Sequence, residues 1–331
     1  MNMDTYTNIK IKEKLFAHLE TWRPYTVIWC GLVSLAGSCL VHYSFPPLKI
    51  AALSFFIPMM GWTAGLYLSD FLDRKLDAIQ KPHRPIPSGR IKPIEAITIG
   101  GIFAFTGLFL SFLLSINNII LVLVVALLVF SYAKISKSYG VSGNLNRGFI
   151  TAAAYFFGVF SNNQPIQLIP LYIWFLSLVF LLHDTNSNLI GAIRDIEGDK
   201  EGGYNTIPVK YGIKISVFIS LILTFCWLFL SILLPYYFDF MNTYFYFIMM
   251  IDVIIVIVLY IYLFKSMRDY TREKGLYFHE FFVIERIILA SAFIFGIVNI
   301  YIASNILLVS LLITIISQYL LRKRYEFKEI T

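Results

Sequence analysis

The chain reads Ser69-Asp70-Phe71-Leu72-Asp73-Arg74-Lys75-Leu76-Asp77 at the end of an apolar run near residues 50–71. That run is long enough to cross a membrane as a helix. On a helix, Ser69, Asp73 and Asp77 recur every four residues and share one face, with Asp70 close beside it. A carboxylate in or next to hydrocarbon is costly and is retained there only for a function. The stretch therefore predicts a membrane helix that ends in a row of functional carboxylates.

A second acidic stretch, much further along the chain, has the same setting. It reads Arg194-Asp195-Ile196-Glu197-Gly198-Asp199 and follows an apolar run near residues 168–190, with Asp184 and Asn188 on the same helical stripe. Carboxylates this close repel one another unless a cation lies between them, and Mg2+ prefers carboxylate oxygens and leaves room for substrate phosphates. The alternative is a pair of solvated helix ends whose carboxylates face adjacent lysines, which two matching runs disfavour. We predict one Mg2+ site built from both runs.

The composition is that of a membrane protein. Of the 331 residues, 58% are hydrophobic and only 14% are charged, and no polar stretch is large enough for a separate soluble domain. We predict a single all-α domain over residues 1–331, a polytopic bundle of membrane helices. Cys30, Cys39 and Cys226 fall in apolar segments without disulfide or metal-ligand spacing. No cleavable signal peptide and no nucleic-acid partner are expected.

Apolar runs predict ten spans, the last two of which could form one kinked helix and reduce the number to nine. They lie near residues 24–43, 50–71, 93–114, 117–136, 147–163, 168–190, 213–234, 243–265, 279–301 and 304–320. With the N-terminus in the cytoplasm, nearly all of the 27 Lys and Arg residues fall on the cytoplasmic side, the exceptions being Lys49 and Arg286. This bias favours ten spans. Both termini and the mouth of the site are then cytoplasmic, in what we expect to be a bacterial cell membrane.

Basic residues around the carboxylates predict an anion site. The candidates for binding a diphosphate are Arg23, Lys81, Arg84, Lys137, Arg194 and Lys200. Mg2+ and these cations would stabilise the charge on a departing diphosphate, which points to ionisation of a prenyl diphosphate with its apolar tail between the helices. The allylic cation needs electron-rich rings. Candidate rings are Trp62, Tyr67, Phe71, Tyr132, Tyr155 and Phe156, although any one of them is more often a packing residue.

Ionisable residues deeper in the apolar runs suggest a second role. His183 or Asp184 could orient or deprotonate an acceptor. The alternative for this region is structural: Arg286 would pair with Asp252 or Glu285 and hold helices together.

The two acidic stretches, each taken with the residues after it, resemble the signatures of the UbiA superfamily of intramembrane prenyltransferases. The first leads into Lys81-Pro82-His83-Arg84-Pro85-Ile86-Pro87-Ser88-Gly89, and the second precedes Thr206-Ile207-Pro208-Val209 and Gly212. The resemblance implies a nine-helix core around a central cavity, at about residues 24–301, with a lateral opening to lipid. It also implies a Mg2+-bound prenyl diphosphate, with Asp73, Asp77, Asp195 and Asp199 as catalytic metal ligands and Asp70 assisting.

Three features depart from that family pattern. Ser69 stands where the first signature usually begins with Asn, and a hydroxyl reaches less far than an amide. Ala192 stands where many members have Asn or Asp, so Asn188, one turn earlier, would substitute. The run near 304–320 is an additional span between the core and a basic cytoplasmic tail at 321–331, while residues 1–23 form a cytoplasmic N-terminal segment.

Three functions are compatible with these residues. The first is transfer of a prenyl group from a polyprenyl diphosphate to an aromatic or other small lipophilic acceptor, and it accounts for the most observations. The second is a terpene cyclase of the same fold, in which the cation is captured by the chain's own double bond; Ser69 and Ala192 give it weight. The third is a non-enzymatic transporter, disfavoured because the acidic runs lie at one membrane face and not at the midplane.

Overall fold

The computed structural model describes residues 3–326, with the side chains of residues 11–322 and 324–326. Within this range every regular element is a helix. The α-helices are α1 Met3–Trp22, α2 Pro24–His42, α3 Leu48–Gln80, α4 Pro93–Ser111, α5 Ile116–Lys134, α6 Gly140–Phe160, α7 Leu171–Arg194, α8 Ile196–Glu201, α9 Ile207–Phe238, α10 Thr243–Ser266, α11 Arg272–Phe295, α12 Ile300–Ser317 and α13 Lys323–Glu326. A π-helical turn, Gln318–Arg322, joins α12 to α13.

The predicted spans correspond to α2–α7 and α9–α12, so the helical fold class is confirmed. The last two spans are separate helices, and the chain breaks between Phe295 and Ile300, earlier than predicted. The second span runs on to Gln80 because the acidic stretch continues the same helix. By length and composition, seven of the described helices could cross a membrane. Helices α6, α7 and α11 are not among them, and they carry polar side chains into the interior of the bundle.

Helix α2 lies in the middle of the bundle, and nearly all of its side chains are buried. It packs against α3, α6 and α11. Its approach to α6 is close because small residues face each other: a Cβ atom at Gly158 would lie only 1.6 Å from the carbonyl oxygen of Ser34. Such small-residue contacts are typical of helix packing in membranes. Helix α5, by contrast, lies at the periphery of the bundle, and Asn118 is its only fully buried side chain.

The ends of the chain are more structured than the sequence suggested. The predicted N-terminal segment at residues 1–23 contains α1, which packs against α3, and residues 1–2 lie outside the described range. The predicted additional span is α12, which packs against α11 and α2. The part of the predicted tail that is described, residues 321–326, is helical and contributes Arg322 and Glu326 to the polar cavity described below; residues 327–331 lie outside the described range.

Candidate active site

Both acidic runs face one polar cavity of about 310 Å³, at the end of the bundle where α3 and α7 finish. The predicted residues that the structure brings into its wall are Arg23, Ser69, Asp70, Asp73, Asp77, Lys81, Arg84, Lys137, Asn188, Arg194, Asp195 and Asp199. The two runs are far apart in sequence, and they meet because α3 and α7 end at the same level of the bundle. The cavity therefore combines the carboxylates of the two runs with basic side chains from several helices and loops.

In the first run each carboxylate holds its own basic partner. Asp70 forms an ion pair with Arg23, and Asp73 forms one with Lys137. Arg84 donates from one guanidinium nitrogen to both oxygens of Asp77, at 3.0 and 2.9 Å. The Ser69 hydroxyl lies 3.4 Å from an Asp73 oxygen, as expected for residues one turn apart on one face.

Two of the basic groups around these carboxylates lie outside the membrane helices, and their environments differ. Burial lowers the pKa of Lys81. Burial would also lower the pKa of Lys137, but the Asp73 carboxylate outweighs it and raises that pKa. Lys137 is therefore the more firmly charged of the two.

In the second run, α7 ends at Arg194, so that Asp195 lies at the junction of two helices and Asp199 lies in α8. The Arg194 Nε atom donates to Asp195 at 3.1 Å, and the Arg272 Nε atom lies 3.5 Å from the same oxygen. Although burial opposes it, Arg194 and then Lys81 hold the pKa of Asp195 below its usual range. Asp199 accepts a hydrogen bond from the Thr206 hydroxyl at 3.1 Å. Burial and the neighbouring Asp195 charge raise the pKa of Asp199 to about 6.

The donor atoms of this cavity suit a hard divalent cation. All five acidic candidates offer carboxylate oxygens, which Mg2+ prefers, and no soft sulfur ligand is found among the described residues of the wall. Among the described residues no three such side chains already converge on one point. The carboxylates are instead neutralised by neighbouring basic groups, so these residues fit Mg2+ on the condition that their ion pairs rearrange when the metal binds.

A second, apolar cavity of about 690 Å³ lies between α3, α4, α5 and α6. Leu108, Leu121, Val125 and Phe157 are among its walls. It borders helices α4 and α5, whose side chains are largely exposed and would face lipid. The two cavities adjoin each other, because they share the wall residues Arg23, Trp62, Leu66, Ser69, Tyr132 and Arg147. A polar headgroup and an apolar chain could therefore be held side by side.

Three predicted residues lie away from the polar cavity. Lys200 is exposed on α8 and is absent from the wall, because it follows Asp199 by one position and so points about 100° away around the helix. His183 is fully buried and hydrogen-bonds to Glu285 at 3.0 Å. It is packed among the rings of Trp29, Trp227 and Phe282, which makes it a core residue.

Asp184 is also buried and is absent from the cavity wall, but it contacts a residue that lines it. An Asp184 oxygen lies 3.4 Å from Nε of Arg147, which borders both cavities. Arg286 was predicted to pair with Asp252 or Glu285, but its hydrogen bond goes instead to the Tyr25 carbonyl oxygen, at 3.2 Å. Of the six candidate rings, the two that line the cavities are those of Trp62 and Tyr132.

Sequence reasoning missed several wall residues, among them Arg147, Arg272, Tyr204 and Glu326. Arg147 was counted only as a cytoplasmic charge, yet its guanidinium lies 4.1 Å from the Trp62 ring centre. Arg272 belongs to a basic loop that gave no indication of which member faces inward. Glu326 stands in the tail, with no local pattern to mark it.

A helical membrane bundle whose polar cavity adjoins an apolar one is the architecture of an intramembrane prenyltransferase. The chain belongs to the UbiA prenyltransferase family, whose model matches residues 28–284. The resemblance seen in its two acidic signatures is thereby confirmed.

Relatives and solved structures agree with this assignment. The chain is 31% identical over 234 residues to a digeranylgeranylglyceryl phosphate synthase of Sulfurisphaera tokodaii, covering 69% of this chain and 81% of that protein. A solved structure described as a digeranylgeranylglyceryl phosphate synthase in membranes is 28% identical, with a TM-score of 0.65 over 86% of this chain and 98% of that one. A UbiA homologue from Archaeoglobus fulgidus, bound to DMAPP and Mg2+, shares the fold at 15% identity, with a TM-score of 0.60 over 83% of this chain and 99% of that one.

Proposed function

We propose that the chain transfers a prenyl group from a polyprenyl diphosphate to a small lipophilic acceptor in a Mg2+-dependent reaction. The observation that carries this proposal is that a polar and an apolar cavity lie side by side and share wall residues. A diphosphate placed among the cations of the polar cavity would have its apolar chain in the 690 Å³ cavity. The reacting carbon would then lie at the junction, beside the rings of Trp62 and Tyr132, which can stabilise an allylic cation.

The roles of the polar residues follow from their charge and position. We propose that Asp73, Asp77, Asp195 and Asp199, with Asp70, hold Mg2+. Mg2+ supplies charge neutralisation for the leaving diphosphate. Arg23, Lys81, Arg84, Lys137 and Arg194 would bind the diphosphate oxygens when their carboxylate partners turn to the metal. Asn188, whose amide donates to the Tyr132 hydroxyl at 3.0 Å, would orient that ring.

For the acceptor, we propose a lipid-like molecule that carries a phosphate. Nine Lys and Arg side chains line the polar cavity against six Asp and Glu, counting the described residues. A diphosphate and its metal ions largely neutralise each other, so this cationic excess is left to attract a second anion. The relatives named digeranylgeranylglyceryl phosphate synthase support a glycerol phosphate ether. The aromatic acceptor expected from the sequence is the second candidate.

The test is a reaction with purified full-length protein, geranylgeranyl diphosphate and Mg2+. Three reactions run in parallel: no acceptor, geranylgeranylglyceryl phosphate, and an aromatic acid such as 4-hydroxybenzoate. We expect diphosphate release and a prenylated product, identified by mass spectrometry, with the phosphorylated ether. If product forms with the aromatic acid and not with the phosphorylated ether, the acceptor is aromatic and the proposed acceptor is wrong. A cyclic hydrocarbon or alcohol without any acceptor would establish a cyclase.

We also propose that the polar cavity opens to the cytoplasm, since the basic loops cluster at that end. Reporters placed in the 81–92 loop and after Thr331 should both read cytoplasmic. If both reporters read external, the bundle has the opposite orientation in the membrane. If only the reporter after Thr331 reads external, the chain has nine spans and not ten.

A further inference from the structure

The last described residues of the chain reach into the polar cavity. The π-helical turn Gln318–Arg322 continues α12 into α13, and Glu326 at the end of α13 lines the polar cavity. Arg322 holds this turn, because it donates to Gln318 and to His279, each at 2.6 Å. Arg324 lies 3.1 Å from Glu20 of α1. This segment, residues 318–326, is thus held by contacts to both α11 and α1.

Tyr325 packs against residues of the first acidic run. Its hydroxyl donates to Asp70 at 2.9 Å and accepts from Arg23. The guanidinium groups of Arg23 and Arg84 lie 4.1 and 4.2 Å from its ring centre, and only 1% of the residue is exposed. Two of the proposed diphosphate-binding cations are therefore covered by a side chain of the protein itself.

Glu326 places a carboxylate among cations from three separate elements. Its oxygens lie 2.8 Å from Arg272, 3.6 Å from Arg194 and 3.8 Å from Lys81. Arg272 also donates to the Glu326 carbonyl oxygen at 3.3 Å, and Glu326 is only 7% exposed. Two guanidinium forks and an ammonium that converge on one buried anion are the arrangement that binds phosphoryl oxygens.

We propose that Lys81, Arg194 and Arg272 form a phosphoryl-binding subsite, which the Glu326 carboxylate occupies until a phosphorylated substrate displaces it. This inference rests on the proposed function for the identity of that substrate. Asp195 supplies one negative charge next to these three cations, and Glu326 supplies a second, which reduces the cost of burying them in the empty protein. The same contact lowers the affinity for a phosphate, because only molecules with the segment displaced can bind it.

The ligand of this subsite is a phosphoryl group, which the donor diphosphate and a phosphorylated acceptor both carry. Arg194 and Arg272 also contact Asp195, so the subsite adjoins the second acidic run. Lys81, Arg272 and Glu326 connect three parts of the chain that sequence reasoning treated separately. Tyr325 and Glu326 lie beyond the residues matched by the family model.

The test measures binding to the full-length protein and needs no turnover. One set of titrations uses inorganic pyrophosphate with Mg2+, and the other uses an alkyl glycerophosphate. Glu326→Gln and Glu326→Ala should raise the affinity for one or both ligands at least about fivefold, because the internal competitor is lost. Arg272→Gln should lower it about tenfold, the scale of one charge-assisted hydrogen bond. The controls are Glu201→Gln and Arg268→Gln, which remove exposed charges nearby and should leave the affinities unchanged.

The ligand that responds identifies the source of the phosphoryl group. If the variants change the affinity for pyrophosphate, the subsite binds the donor diphosphate. If they change the affinity for the glycerophosphate, it binds the acceptor. Unchanged affinity for both ligands in the Glu326 variants, with their folding intact, would overturn the proposal. Because no product is measured, a failure of the proposed transfer reaction would be visible separately, as binding without turnover.

Discussion

The two acidic runs offer the same kind of side chain but differ in how it is neutralised. In the first, Asp70, Asp73 and Asp77 lie on one continuous helix, and each is paired with a basic residue from another part of the chain. In the second, the end of α7 separates the two carboxylates: Asp195 is shared by two arginines, whereas the hydrogen bond to Asp199 comes from a neutral hydroxyl. The comparison shows that position on a helix decides which carboxylates share a face, while residues distant in sequence decide how each carboxylate is neutralised.

The largest expected effect concerns both runs together. Removal of divalent cations with excess chelator should abolish prenyl transfer, and Mg2+ should restore it better than Ca2+, because diphosphate sites favour the smaller octahedral ion. The measurement is diphosphate release before and after metal is added back. Full turnover in chelator would show that the basic residues alone bind the diphosphate.

The next test compares one residue from each run. Asp73→Asn and Asp195→Asn should each reduce turnover at least about a hundredfold, the usual scale for one electrostatic catalytic element. The control is Asp269→Asn, which changes an exposed carboxylate near the same membrane face and should keep normal turnover. Thermal unfolding in detergent should be little changed in all three. Normal activity in one variant alone would mean that its run does not bind the metal.

Much of this site could be predicted from the sequence, because the patterns that mark it lie within short stretches of the chain. Asp73 and Asp77 could be placed because helical periodicity fixes their common face, and apolar runs fix the helix around them. Lys200 was misplaced because a basic residue next to Asp199 was assigned to the site by proximity in sequence, although adjacent residues of a helix point about 100° apart. Glu326 was missed because its partners lie on three elements distant in sequence. Contacts of that kind depend on packing.

Ser69 allows a further test of the first acidic run. Its hydroxyl lies 3.4 Å from Asp73 and lines both cavities. Ser69→Leu should lower diphosphate release about tenfold, because an apolar group would stand where polar ligands converge. Ser69→Asn should retain or raise release and could alter the product profile. Wild-type behaviour of Ser69→Leu would show that this end of the run lies outside the reacting region.

The smallest effect belongs to the second run and depends on pH. The pKa of Asp199 is raised to about 6 by burial and by the neighbouring Asp195 charge, so in the metal-free protein this carboxyl takes up a proton as the pH falls through that value. A metal ligand must be deprotonated. The Mg2+ affinity of the wild type should therefore decrease below about pH 6, up to about tenfold for each further unit.

Asp199→Asn isolates this contribution, because it removes the titrating group while keeping a side chain of nearly the same shape. The variant should bind Mg2+ more weakly at pH 7.5 and lose the part of the pH dependence centred near 6. Glu201→Asn removes an exposed carboxylate from the same short helix and should titrate like the wild type. Calorimetric Mg2+ titrations between pH 5 and 8 measure all three proteins. An identical pH profile for Asp199→Asn and the wild type would show that Asp199 is not a metal ligand, and the second run would then act through Asp195 alone.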